Sequence, residues 1–504
     1  MLATLTLLLG LLGVLSQPQG HVHAASASRV VIHDCADDDQ LQMAVAANNA
    51  SSGGATITFA CSGDIKIDDG TLMINKNLTL DGNEQHVTLD GQGLVQVIAV
   101  NGVTFTLKDL TITGGSSSLG GGLINNGGTV TICNSTFTSN KAGVNGGGIL
   151  NGGTMTIKES RITNNTAGTG GGIFNGGTMT IKESSSITDN KAQNAGGLFN
   201  FLGGTVTIKE SSIANNTATT DGGGLFNELG KMTIKESSIA KNTALFGGGL
   251  FNQAGGTMTI KESRITKNTA SDGGGLFNNT GTMTIKKSRI TDNTASFAGG
   301  GLFNTNGGTV TINESRITKN TAGVGGGIVN NTGTMKISKS RITNNTASSD
   351  IGGGIDNFGG TMNITQSRIA NNTARGNGGG IENEGMMNIT QSRIANNTAR
   401  GNGGGIENFM GGTVNITGST IANNTATSGG GIANEFRSNT VNITGSTIAD
   451  NTATSGNGGG IFSNSGTVHI TNSVLRDNHP NNCAGTTVFT SGGGNHDSDG
   501  TCHV

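Results

Sequence analysis

The sequence predicts an all-β chain wound as a parallel β-solenoid of about 14 or more coils of ~26 residues. Three observations carry this. A Gly-Gly-[Ile/Leu]-x-Asn segment recurs with its Asn at Asn125, Asn151, Asn175, Asn200, Asn227, Asn252, Asn278, Asn304, Asn330, Asn357, Asn383, Asn408 and Asn434, and a looser copy follows at Gly458 to Asn464. Within each copy three short runs place apolar residues two apart, which is the period of a strand. No copy sustains a 3.6-residue period over ten positions, so helical repeats are excluded.

Composition agrees. Of 504 residues 88 are Gly, only 2 are Pro, and Trp and Tyr are absent. Collagen needs Gly at every third position with abundant Pro, and a disordered chain needs high net charge; here the formal net charge is −2. That balance gives no general attraction to nucleic acid or anionic membranes, so neither is expected as a partner.

Taken in chain order, residues 1–27 read as a signal peptide. Leu5 to Leu15 is an apolar run too short to span a bilayer, and Ala25-Ser26-Ala27 supplies a cleavage site. Export to the cell surface or the medium is the expectation, and no later segment is apolar and long enough for a membrane helix. Residues 28–115 form an N-terminal cap with degenerate coils. Asp37 to Asn48 reads as a short amphipathic helix with Leu41 and Val45 on one face and Asp37, Asp38 and Asp39 at its N-terminus, where acids are favoured. Residues 56–115 hold two or three irregular coils, residues 116–476 the regular repeat, and residues 477–504 a C-terminal cap that leaves it. Cys35 and Cys61 lie at one end and Cys483 and Cys502 at the other, suiting two end-local disulfides in an exported chain; Cys133 stands alone.

Stacking coils in register puts like upon like. Ile149, Ile173, Leu198, Leu225 and Leu250 form one inward column, Ile157, Ile181, Ile208 and Ile234 a second, and Asn165, Asn190, Asn216 and Asn242 a polar ladder bonded amide to amide. The position between Ile/Leu and Asn is read as outward. It carries Phe174, Phe199, Phe226, Phe251, Phe277 and Phe303, then Val329, Asp356, Glu382 and Glu407. An exposed Phe stripe would mark a contact surface. Three stacked carboxylates would repel unless Ca²⁺ bridges them or Arg375 and Arg400 neutralise them. Two further outward columns run Arg264, Arg289, Arg316, Arg341, Arg368, Arg393 and Lys158, Lys182, Lys209, Lys235, Lys261, the latter beside Glu159, Glu183, Glu210 and Glu236. Both read as a solvated face that discourages aggregation, with an anionic-glycan track as the alternative. Outward Thr pairs such as Thr154/Thr156 and Thr178/Thr180 admit an ice-binding reading, interrupted at Lys336 and Asn363. No phosphate loop, zinc spacing or Ser/His/Asp constellation is present, so no catalytic residue is assigned.

The motifs Gly-Gly-Gly-[Ile/Leu]-Phe-Asn and Ser-x-Ile-x-x-Asn-Thr-Ala make residues 100–475 resemble bacterial right-handed parallel β-helix repeat proteins of pectate-lyase-like fold. They are most similar to the passenger repeats of polymorphic outer membrane proteins, departing in a third Gly where those carry Ala. The resemblance implies right-handedness and a secreted or surface-exposed, adhesin-like scaffold that binds glycans or surfaces without catalysis. The tail around Cys483 and Cys502 also resembles the disulfide-bearing end of secreted bacterial β-helix proteins. The alternative it implies is a polysaccharide lyase or hydrolase, which would use paired acids such as Glu382 and Glu407.

Overall fold

The computed structural model describes residues 28–504; the signal peptide assigned to residues 1–27 lies outside the described residues. The chain winds through about 18 turns of ~26 residues. One coil shows the plan. Ile173–Asn175 lies in a first sheet, Thr178–Lys182 in a second, Ser186–Thr188 in a third and Lys191–Asn194 in a short fourth ladder. Leu198 then re-enters the first sheet one coil on, directly opposite Ile173. Every pairing between these strands is parallel, and the second sheet runs to 19 strands.

Period-two alternation turns one side of each strand into a single elongated core. Ile181 and Met179 of the second sheet, Ile187 of the third and Ile173 of the first are all buried in it, each beneath its equivalent in the next coil. β-Branched residues suit this pleated surface, and coil-on-coil stacking removes from water apolar faces that one coil could not bury alone.

Polar ladders hold the corners. Asn165 Nδ2 donates to Asn190 Oδ1 at 3.0 Å and to the carbonyl of Phe137 at 3.0 Å, while the backbone N–H of Asn165 donates to the same Asn190 Oδ1 at 2.9 Å. The pattern repeats to Asn451 and Asn478, bonded at 2.9 Å. Two ladders were not foreseen. The repeat-marking asparagines also bond in file, as Asn151 Nδ2 to Asn175 Oδ1 at 2.7 Å, and at the corner between second and third sheets the N–H of Ser211 donates to Ser237 Oγ at 3.2 Å. Their signal was present in the sequence, since Asn and Ser recur there in nearly every copy.

The ends close the core. Helix α1 (Asp38–Ala50) buries Leu41, Ala44 and Val45 and begins one residue later than expected, with Asp37 as its N-cap. Asp38 Oδ1 accepts the N–H of Lys66 at 2.8 Å, and Asn48 Oδ1 that of Ala55 at 3.1 Å, tying the helix to the first coil. The expected pairs Cys35–Cys61 and Cys483–Cys502 are formed, and Cys133 is free and buried. One boundary is corrected: residues 477–504 do not leave the repeat. Cys483–Ala484, Phe489–Ser491 and His496–Asp497 add a last rung to the first, second and third sheets. The motif is lost there because the ladder changes residues: Asn478 Nδ2 donates to Asn482 Oδ1 at 2.8 Å, and Asn482 Nδ2 to Asp497 Oδ1 at 2.7 Å.

Replacing one ladder residue tests the corner. Asn268→Ala leaves the backbone N–H of Asn242 without its acceptor, takes one of the two acceptors from Asn242 Nδ2, which keeps the Ile213 carbonyl, and removes the amide donor to the carbonyl of Ile239, all buried. At ~1–3 kcal/mol for the orphaned N–H and ~0.5–1.5 kcal/mol for each of the two other lost bonds, the expected destabilisation is about 2–6 kcal/mol. Urea unfolding, with hydrogen exchange at the flanking coils, measures it; an unchanged midpoint would contradict this role for the ladder.

Candidate functional site

The structure brings the expected outward residues of the first sheet into one file, but it does not expose them. Phe174, Phe199, Phe226, Phe251, Phe277 and Phe303 stack in register, with successive ring centroids 4.8 Å to 5.3 Å apart. Phe226 and Phe251 are each only 3% exposed, and only Phe174 and Phe303 are half-buried. The exposed contact strip is therefore corrected: the rings form a second, smaller apolar core outside the sheet.

Its cover is the Gly-rich loop that precedes each first-sheet strand. Phe246 in one such loop lies 5.6 Å from Phe277, centroid to centroid. Gly273, at φ +62°, would place a Cβ 2.9 Å from that of Phe277, and a Cβ on Gly274 would come within 2.4 Å of the Thr294 carbonyl. Gly at the first site supplies the left-handed backbone and at both the room for the loop to lie flat on the column. The triplet was the available signal, its first Gly standing four residues before every Phe but Phe199, where Ala195 takes that place.

The acids continue the same covered file. Asp356 is opposite Glu382, and Glu382 opposite Glu407. They are 4%, 2% and 0% exposed, against the outward placement expected of them. Asp356 Oδ1, Glu382 Oε2 and both carboxylate oxygens of Glu407 have no hydrogen-bond partner, and neither Arg375 nor Arg400 forms an ion pair among the described residues. Among the described residues no group of three His, Cys, Asp or Glu is disposed to hold a metal ion. Burial disfavours the charged form, and acidic neighbours add to it. Desolvation, with the charges of Glu384 and Asp350, pushes Asp356 up to about 7. Desolvation and the charge of Asp356 push Glu382 up to about 10, and desolvation holds Glu407 well above the usual carboxylate range. At neutral pH Glu382 carries its proton, and burial favours the protonated form of Glu407 as well.

The charged columns meet at the corner between the second and third sheets. Lys182, Lys209 and Lys235 pair with their neighbours Glu183, Glu210 and Glu236 at 2.7, 2.9 and 3.0 Å. These pairs are exposed and contribute little to stability. The arginine column, from Arg264 to Arg393, lies beside that corner on the outer face of the third sheet, one residue per coil and exposed throughout. On the second sheet the outward Thr columns stack in register but are broken at Lys231 as well as Lys336, after which Asn363, Asn388, Asn415 and Asn442 bond in file at 2.8 Å.

Two outcomes follow from the covered file. Phe251→Ala removes a fully packed ring and should destabilise the chain by ~3–5 kcal/mol, read by urea unfolding; a solvent-exposed ring would give almost no change. The acids set a pH dependence. An acid whose folded pKa lies above its unfolded value stays protonated in the fold while the unfolded chain ionises, so stability falls as pH rises between the two. That window runs from roughly pH 4 to about 7 for Asp356 and to about 10 for Glu382. Thermal midpoints should drop from about pH 5 to about pH 9, and Glu382→Gln with Glu407→Gln should raise the alkaline midpoint and flatten the slope. A pH-independent midpoint in the parent chain would refute the protonated assignment.

Residues 180–340 match the family model described as right handed beta helix region. No curated protein and no solved structure matches the chain. The matched segment is a right-handed parallel β-helix repeat, and the sheets continue the same parallel coil from that segment toward both ends of the described chain.

Proposed function

We propose that this protein is a non-catalytic binding scaffold, secreted or held at a cell surface, that attaches to glycans or to other surfaces. The observation that carries this reading is the uniformity of the outer faces. Exposed columns hold one residue type over runs of several coils, as from Arg264 to Arg393, so a ligand would meet a repeating strip and no single reacting centre. The covered acids favour the same side of the choice. A lyase or hydrolase needs two carboxyl groups open to one sugar, one of them ionised or poised near the working pH. Glu382 and Glu407 are buried, unpartnered and pushed upward together.

The test pairs binding with turnover. The purified full chain should be retained by a subset of glycans or by intact cell surfaces, and should release no product from pectin or related polyuronates with or without Ca²⁺. Turnover that Glu382→Gln abolishes would replace this reading with the polysaccharide-lyase or hydrolase alternative. Absence of any retained surface would remove the scaffold reading itself.

A further inference from the structure

We propose that the third sheet carries a docking track for a linear sulfated polysaccharide, which lies along Arg264, Arg289, Arg316, Arg341, Arg368 and Arg393. This rests on the binding reading above and names the ligand chemistry of one face.

The six arginines are register partners in consecutive coils. Their backbones are therefore ~4.8 Å apart, and the file is ~24 Å long. All six are exposed, and among the described residues none forms an ion pair or a side-chain hydrogen bond. Like charges in adjacent coils repel, so the file carries a tension that a bound polyanion relieves.

The neighbourhood changes charge in the same coils. In the three coils immediately before, the equivalent position is Ser186, Ser212 or Ser238, which separate the file from Arg161, and the corner beside it is an acid already paired with lysine. From Arg289 on, the corner reads Lys287, Glu314, Lys339, Gln366 and Gln391. Lys267, Asp292 and Lys319 flank the file on its other side, where a groove of about 530 Å³ runs past Arg264, Arg289 and Arg316; with its one acid this side remains net basic. A second groove of about 580 Å³ follows Arg341, Arg368 and Arg393. The chain as a whole is slightly acidic, so this basic strip is a local concentration of charge.

Three features select the ligand. The strip offers no aromatic ring on which a base could stack: the chain lacks Trp and Tyr, and the stacked Phe file lies buried on another sheet. Duplex DNA winds two charged strands with a phosphate every ~1.7 Å of axis, whereas this file is single, straight and more widely spaced. In the first four coils a lysine accompanies the arginine (Lys267, Lys287, Lys319 and Lys339), which suits a sugar chain with more than one anionic group per residue, and guanidinium forks bind oxyanions through paired N–H groups. Thr266, Thr291, Thr318 and Thr343, two residues on along the same face, supply hydroxyls for the sugars.

The experiment uses the full chain on immobilised dextran sulfate, with neutral dextran, polygalacturonate and duplex DNA as comparisons. The test variant is Arg289→Ser/Arg316→Ser/Arg341→Ser, since the preceding coils already hold serine at this position; Arg→Gln at the same three sites keeps the aliphatic stems should the serine variant unfold. The parent should bind dextran sulfate in about 50 mM salt and ignore neutral dextran. The triple variant should bind at least about tenfold more weakly and with a shallower salt dependence. Lys209→Ser/Lys235→Ser, on the paired corner, should bind like the parent. Equal binding by parent and triple variant, or no retention of the parent, overturns the track. So does equal preference for polygalacturonate or DNA. A glycan captured in the surface screen and unaffected by the triple variant would leave the scaffold reading standing and remove this track alone.

Discussion

The buried amide ladder at the corner after the third sheet is the constraint on which the rest of the fold depends. Each Asn there gives its amide to the next Asn and to a carbonyl of the preceding coil, while its own oxygen accepts two N–H groups from that preceding coil, as Asn268 does for Asn242. Such a residue has no spare bonding capacity and is wholly enclosed, so a slip of one position would orphan several groups at once. Coil length obeys this. From Ile208 to Asn478 the second-sheet isoleucine and the ladder Asn stay eight residues apart in every coil, as Ile260 and Asn268 do. Variation in length falls on the Gly-rich loop and on the turn after the repeat-marking Asn.

That Gly-rich loop creates the second enclosed space of the molecule. It lies on the outward column of the first sheet and makes a slot whose walls are backbone, so the occupant is free to change. Phe fills it in six coils, then Val329, then Asp356, Glu382 and Glu407, and Ala433 after them. The rings gain by it, since burial and edge contacts are both favourable. Burial in the slot favours the protonated form of each acid, so all three are pushed upward in common.

The open faces follow another rule. With one residue presented every ~4.8 Å, any exposed position becomes a line of identical groups. Where lysine and glutamate share a corner the line is neutral, as at Lys209 and Glu210. Where the corner acid gives way in all but one coil while arginine appears next to it, as from Arg289 to Arg393 with only Glu314 remaining, the line becomes a field with direction and length. A solenoid thus acquires a binding strip by changing two positions in each of a few coils, without disturbing its core.

The period, the inward columns, the Asn ladder, the capping helix and the end-local disulfides were all legible in the amino-acid sequence, because each depends on residues a fixed distance apart and in-register stacking repeats that distance. The tertiary structure decided the rest. Whether Phe226 or Glu382 meets water depends on the path of a Gly loop that no strand period records. The last coil carries no repeat motif because Asn482 and Asp497 complete its ladder from new positions. The isolation of the arginine file is visible only once the corners are folded, since ion pairing depends on distances between side chains and not on their order along the chain.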